Sequence, residues 1–235
     1  MSLRPALALV FGLAAGSAAA QDAVEAPGML TDYDFYQLVS CGAPMSEVCR
    51  EPVVRWRLDG VVRVALRRID RAYLGRKKLR AEAALTRAVQ ALNGAGAGVR
   101  LVHVGPGVPA EIELYFLDLD AGDVIAGTGI EGVDGAELGV TSTRLIVDGT
   151  SDAIRRAAIV VSTTLETAGY EGELLTQLTR AMGLMVPVAG PAYEGLSVLS
   201  AGDHSRTTLG LQDIAALRQH YAAPEPPPPP VPAGN

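Results

Sequence analysis

The spacing of apolar residues changes several times along the chain, and each change predicts an element. Over Val61 to Leu66 apolar and polar positions alternate, with Val62, Val64 and Leu66 on one face and Arg63 and Arg67 on the other, as in a half-buried strand. From Lys77 to Leu92 the period becomes helical through Leu85, Val89 and Leu92, and Asn93-Gly94 supplies a stop. Strand alternation returns over Val99 to Val104 and over Glu111 to Leu117, where Ile112, Leu114 and Phe116 oppose Glu111, Glu113 and Tyr115. Val140 to Val147 and Ala157 to Thr163 read as two further strands. Helical spacing then covers Glu171 to Met185 and Leu209 to Tyr221, the latter through Leu211, Ile214, Leu217 and Tyr221. A short helix is expected at Asp32 to Ser40, and the acidic, glycine-rich stretch from Asp118 to Gly139 reads as a long excursion. This order, with no internal repeat, predicts an α+β fold.

The two ends follow different rules. Met1 to Ala20 has Arg4 near its start, an apolar run from Ala6 to Ala15 and small residues up to Ala20, which is the layout of an export signal. Cleavage after Ala20 would leave a periplasmic or secreted chain. The Ala6 to Ala15 run is too short for a membrane anchor, and no second apolar stretch is long enough to span a bilayer, so the mature chain is expected to have no membrane span. At the other end, Pro224 to Pro232 reads PEPPPPPVP, extended polyproline with nothing to build a core from, so residues 224–235 are expected to be a disordered tail. Cys41 and Cys49 flank a short loop of turn formers and should pair in an oxidising compartment. The expected organisation is a signal peptide at 1–20, a disulfide-stapled segment at 21–60 and a main domain at 61–223.

Composition removes several classes of function. With 20 Lys and Arg against 26 Asp and Glu, the chain lacks the basic excess that gripping a nucleic-acid backbone requires. Two Cys and three His leave few ways to assemble a zinc site; His103, on a strand, and His220, on a helix, read as structural. Gly127 to Gly132 matches GxGxxG, but no clear helix follows to receive a pyrophosphate. Asp118, Asp120 and Asp123 approach a calcium loop but Gly122 comes one position early and Gly129 stands where a bidentate Glu belongs. Gly195 to Leu199 lacks the second glycine of a nucleophile elbow.

The informative stretch is Thr176-Gln177-Leu178-Thr179-Arg180-Ala181-Met182-Gly183-Leu184, which has the frame of HExxHxxGL without its chemistry. Thr176 and Arg180 occupy the imidazole positions, and a guanidinium does not ligate a metal. Gln177 occupies the carboxylate position, and an amide cannot accept the proton of a water. Ser197-Val198-Leu199-Ser200 resembles the methionine-containing turn of metzincin proteases, with Leu199 at the methionine position. Leu209 to Tyr221 is similar to their closing helix, which carries a leucine, an acidic residue and a terminal tyrosine.

More closely, the chain resembles an exported bacterial family, the domain of unknown function numbered twenty-nine twenty-seven. The shared features are Cys41 and Cys49 before Trp56, a helix with Glu173, Leu174, Gln177, Gly183 and Leu184, and the closing acidic-to-Tyr helix. The Gln177-to-Gly183 spacing is wider than that family's pattern, which leaves the helix register open by a turn. The resemblance implies a zincin-like mixed sheet with an edge strand, an active-site-type helix and a C-terminal helix. An unrelated α/β fold stays open, because Leu174, Leu178, Met182 and Met185 also fit a plain core helix.

Three functional readings compete. The first is a non-catalytic protein, without metal or cofactor, that binds a peptide or envelope protein in a groove formed by Glu173, Thr176, Gln177, Arg180, Asp203 and His204. In it, Arg180 would place a fixed positive charge where zinc would sit, favouring a carboxylate. The second is a metal-dependent peptidase drawing ligands from Asp203, His204 and the acidic residues of Asp118 to Glu137. The third is a purely structural periplasmic domain.

Overall fold

A computed structural model describes residues 17–18, 22–43, 47–57 and 60–222. The expected cleavage point after Ala20, most of the leader and the tail from 224 lie outside them. The elements are β1 (Ser17–Ala18), β2 (Val24–Glu25), α1 (Asp32–Cys41), β3 (Arg55–Trp56), β4 (Val61–Ile69), α2 (Arg76–Gly94), β5 (Arg100–Val104), β6 (Ile112–Phe116), β7 (Thr141–Val147), β8 (Ala153–Val161), α3 (Tyr170–Ala181), β9 (Val188–Ala189) and α4 (Leu211–His220). The fold is α+β, built on a mixed, mostly parallel sheet.

Strands β4, β5, β6 and β8 run parallel in the order β5-β4-β6-β8, and β7 lies antiparallel on the outer side of β8. Parallel neighbours need long crossovers, and α2 supplies the one between β4 and β5. Among the described residues, only β1 lies beyond β7, antiparallel, with Ser17 opposite Ile146 and Ala18 opposite Leu145.

The alternation read in the sequence decides what each face of the sheet meets. Val62, Val64, Ile112, Leu114, Phe116, Leu145, Ile159 and Val161 point to one side, where Leu85 and Val89 of α2 and Leu174 and Leu178 of α3 complete the main core. On the other face Arg63 pairs with Glu111 at 2.5 Å and Arg67 with Glu113 at 2.7 Å. Beside them the 118–139 excursion folds back: Ile125, Val133 and Leu138 close a small second core over Leu117, Ala158 and Val160. The residues before β4 share the main core: β2 runs beside β9, β3 beside β8, and Phe35 of α1 stacks on Tyr193 with ring centroids 5.3 Å apart. Cys41, the last residue of α1, is joined to Cys49.

Helix α3 stops at Ala181, four residues short of the periodicity that predicted it. The apolar spacing continues through Met182 and Met185 because the chain stays buried there. The helix ends because Gly183 takes φ +100°, in space where a Cβ would come within 2.2 Å of Val54 O and 2.7 Å of His220 Nε2. Its exposed carbonyls are met by side chains from both ends of the chain: Trp56 Nε1 donates to Ala181 O at 2.9 Å and Tyr221 OH to Met182 O at 2.6 Å.

Candidate functional site: a polar recess beside the edge strand

Helix α3 is buried on nearly every side, and only Glu171 and Arg180 reach solvent appreciably. Four of its buried residues are polar, and buried polar groups need partners. Thr179 donates to Leu175 O in its own helix at 2.7 Å. Thr176, fully buried, turns to the segment after the helix and donates to Val198 O at 2.9 Å. That contact seats the Ser197 to Ser200 turn under the helix. Asp213 of α4 holds the turn from the other side, accepting from Ser197 Oγ at 2.5 Å, Val198 N at 3.0 Å and Gly210 N at 2.7 Å.

The remaining pair, Glu173 and Gln177, face β7. Gln177 Nε2 donates to Glu173 Oε1 at 2.8 Å, and its Oε1 accepts from Thr143 Oγ1 at 2.7 Å. Thr141 donates its hydroxyl to the same Glu173 oxygen. The other carboxylate oxygen lies 2.7 Å from His204 Nδ1, which must carry the proton of that contact, since an ionised carboxylate only accepts. Burial alone would raise the pKa of Glu173, but the bonds from His204, Thr141 and Gln177 outweigh it and lower it to about 2. The carboxylate is therefore ionised at neutral pH and fully engaged.

Backbone packing sets this arrangement as much as side chains do. A Cβ on Gly172 would lie 1.9 Å from His204 O, so the bare helix surface at Gly172 is what lets the 204–206 loop come close enough to place an imidazole beside Glu173.

Glu173, Gln177, Arg180 and His204 line one recess of about 340 Å³ with Val140, Thr141, Ala201 and Gly202. The helix stripe expected from sequence is thus brought together with His204. Thr176 is not part of it, because its hydroxyl is spent on the turn below. Asp203 lies outside it as well, its Oδ1 accepting from Ser205 N at 2.9 Å. Sequence reading missed Thr141, Thr143 and Gly172. The two threonines sit two apart on a strand and so share a face, which was the available signal.

Arg180 is the unmatched charge in the recess. Burial lowers its pKa while the charge of Glu173 opposes the change, and a guanidinium remains protonated at neutral pH. Among the described residues no carboxylate lies in ion-pair contact with it, and its Nε has no partner. His204 Nε2 also lacks one.

No family model matches the chain, and no curated protein matches its sequence.

Among the described residues, no three His, Cys, Asp or Glu side chains gather as a metal site. The ligand set imagined from Asp203, His204 and the acidic excursion is therefore not assembled. In the excursion, Asp134 Oδ1 and Oδ2 accept from Thr128 N at 3.1 Å and Gly129 N at 3.0 Å, so the GxGxxG amides are bonded to the chain's own carboxylate.

Proposed function

We propose that this chain is an exported, non-catalytic zincin-like protein that binds an extended segment of a peptide or partner protein along β7, beside the α3 recess. The observation that carries the reading is the coincidence of a strand edge with a polar recess. The outer edge of β7 is paired only at Leu145 and Ile146 among the described residues, and its Thr141 end opens on Glu173, Gln177, Arg180 and His204. Unpaired N–H and C=O groups on an edge strand accept an added strand. The antiparallel Ser17–Ala18 segment is an example of such an addition.

Chemistry at the recess supports binding over catalysis. Gln177 stands where a general base would be needed, and its amide is held at both ends. The antiparallel edge strand, the buried helix, the turn beneath Thr176 and the closing helix with Asp213 and Tyr221 agree with the zincin-like arrangement that the sequence resemblance implies. The Cys41–Cys49 disulfide fits export to an oxidising compartment. Among the described residues no helix is long and apolar enough to cross a membrane.

The test is binding of the chain lacking residues 1–20 to an array of extended peptides, with metal analysis of the same sample. Retention of peptides and less than a tenth of an equivalent of zinc are expected. One equivalent of tightly bound zinc with chelator-sensitive peptide cleavage refutes the reading.

A further inference from the structure

Resting on the strand-edge reading above, we infer that the recess selects a carboxylate carried by the added strand at the residue opposite Thr141, with Arg180 as its receptor. Three observations converge on this.

The first is register. Ser17 stands opposite Ile146 and Ala18 opposite Leu145 in an antiparallel ladder. A strand continued in that register advances one residue for each step back along β7, so its sixth residue stands opposite Thr141.

The second is facing. Thr141 and Thr143 both reach α3 with their hydroxyls, to Glu173 and to Gln177. Residues directly opposite each other on antiparallel strands point to the same side of the sheet. The sixth side chain of the added strand is thereby directed into the recess.

The third is charge. Glu173 already accepts from Thr141, Gln177 and His204, whereas Arg180 lines the same recess without an ion-pair partner among the described residues. A partly buried guanidinium with no carboxylate in ion-pair contact is costly, since the charge of Glu173 reaches it only at longer range, and a carboxylate in contact answers its fork with two parallel hydrogen bonds. His204, whose Nε2 also lacks a partner, lines the recess too.

An Asp or Glu side chain at the sixth position meets these conditions, whereas the terminal carboxylate of a chain that ends there continues the backbone along β7 and serves as the contrasting case in the test. The experiment uses hexapeptide arrays randomised at the first five positions, probed with labelled protein lacking residues 1–20. One set ends in Glu with an amidated C-terminus, one in Gln with a free C-terminus, and one in Gln amide. The Glu amide set should bind roughly tenfold tighter than the Gln amide, the worth of about one charge-assisted hydrogen bond. Preference for the free acid over both amides overturns the side-chain assignment. The difference between the Glu amide and the Gln amide should vanish in R180Q. Equal binding of all three sets overturns the carboxylate inference and leaves the strand-edge reading standing. Absence of binding in every set overturns both. The wild-type comparison alone decides the point if R180Q does not fold.

Discussion

His204 Nδ1 lies 2.7 Å from Glu173 Oε2, and this contact joins the loop after the 197–200 turn to the centre of α3. Glu173 also accepts from Thr141 on β7, so one carboxylate holds strand, helix and loop together.

Removal of that carboxylate should therefore be costly. In E173A, His204, Thr141 and Gln177 lose a buried acceptor at once, and a loss of about 3 kcal/mol is expected in urea unfolding. E173Q should lose less, because an amide oxygen still accepts. The folded-state pKa of Glu173, about 2, lies below its ordinary 4.5. Its contribution is therefore complete above pH 4.5 and is lost as pH falls toward 2, and the E173Q stability profile should be flatter in that window.

His220 governs a different pH range. Burial, with the nearby charge of Arg55, lowers its pKa from 6.5 to about 4, against the opposing bonds to Val54 O and Met182 O. The unfolded chain takes up this proton first as pH falls, so stability should decline by roughly 3 kcal/mol between pH 6.5 and 4 and stay level at neutral pH and above. An H220Q variant that keeps this decline in denaturation curves would contradict the assignment.

Glycine substitutions should separate close packing from plain flexibility. G183A meets both positive φ and Val54 O, and a loss above about 2 kcal/mol is expected. G172A forces the 204–206 loop outward and should weaken binding at the recess as well as stability. G94A, at the end of α2, meets nothing within 4 Å and should be neutral or stabilising by about 0.5 kcal/mol in the same assay.

Reduction of Cys41–Cys49 should lower stability by about 2 to 3 kcal/mol, the loop-closure entropy returned to the unfolded chain. Thermal unfolding with and without a thiol reductant measures it, and α1, whose last residue is Cys41, should lose amide protection first.

The elements that sequence made legible are those whose information is local. Alternation over Val62, Val64 and Leu66 placed β4, and the Leu85, Val89 and Leu92 spacing placed α2. The stripe of Glu173, Gln177 and Arg180 was also visible, because helical spacing alone puts these residues on one side. What could not be read is long-range. Thr141 is 32 residues from Glu173 and His204 is 31 away, so no period connects them. Thr176 shows the same limit: its place on the helix was right for a groove, but the turn at Val198 claimed its hydroxyl. The 118–139 excursion looked open because the apolar residues it buries, Ile125, Val133 and Leu138, have no regular spacing; they are fixed instead by the back of β8.

Trp56 and Tyr221 close the last turn of α3 from opposite ends of the folded chain. Synthesis of the chain from its amino end delivers the indole well before the phenol. Until the phenol arrives, the last turn of α3 is held from one side only, and shortening the chain before residue 221 should leave that turn made but never set.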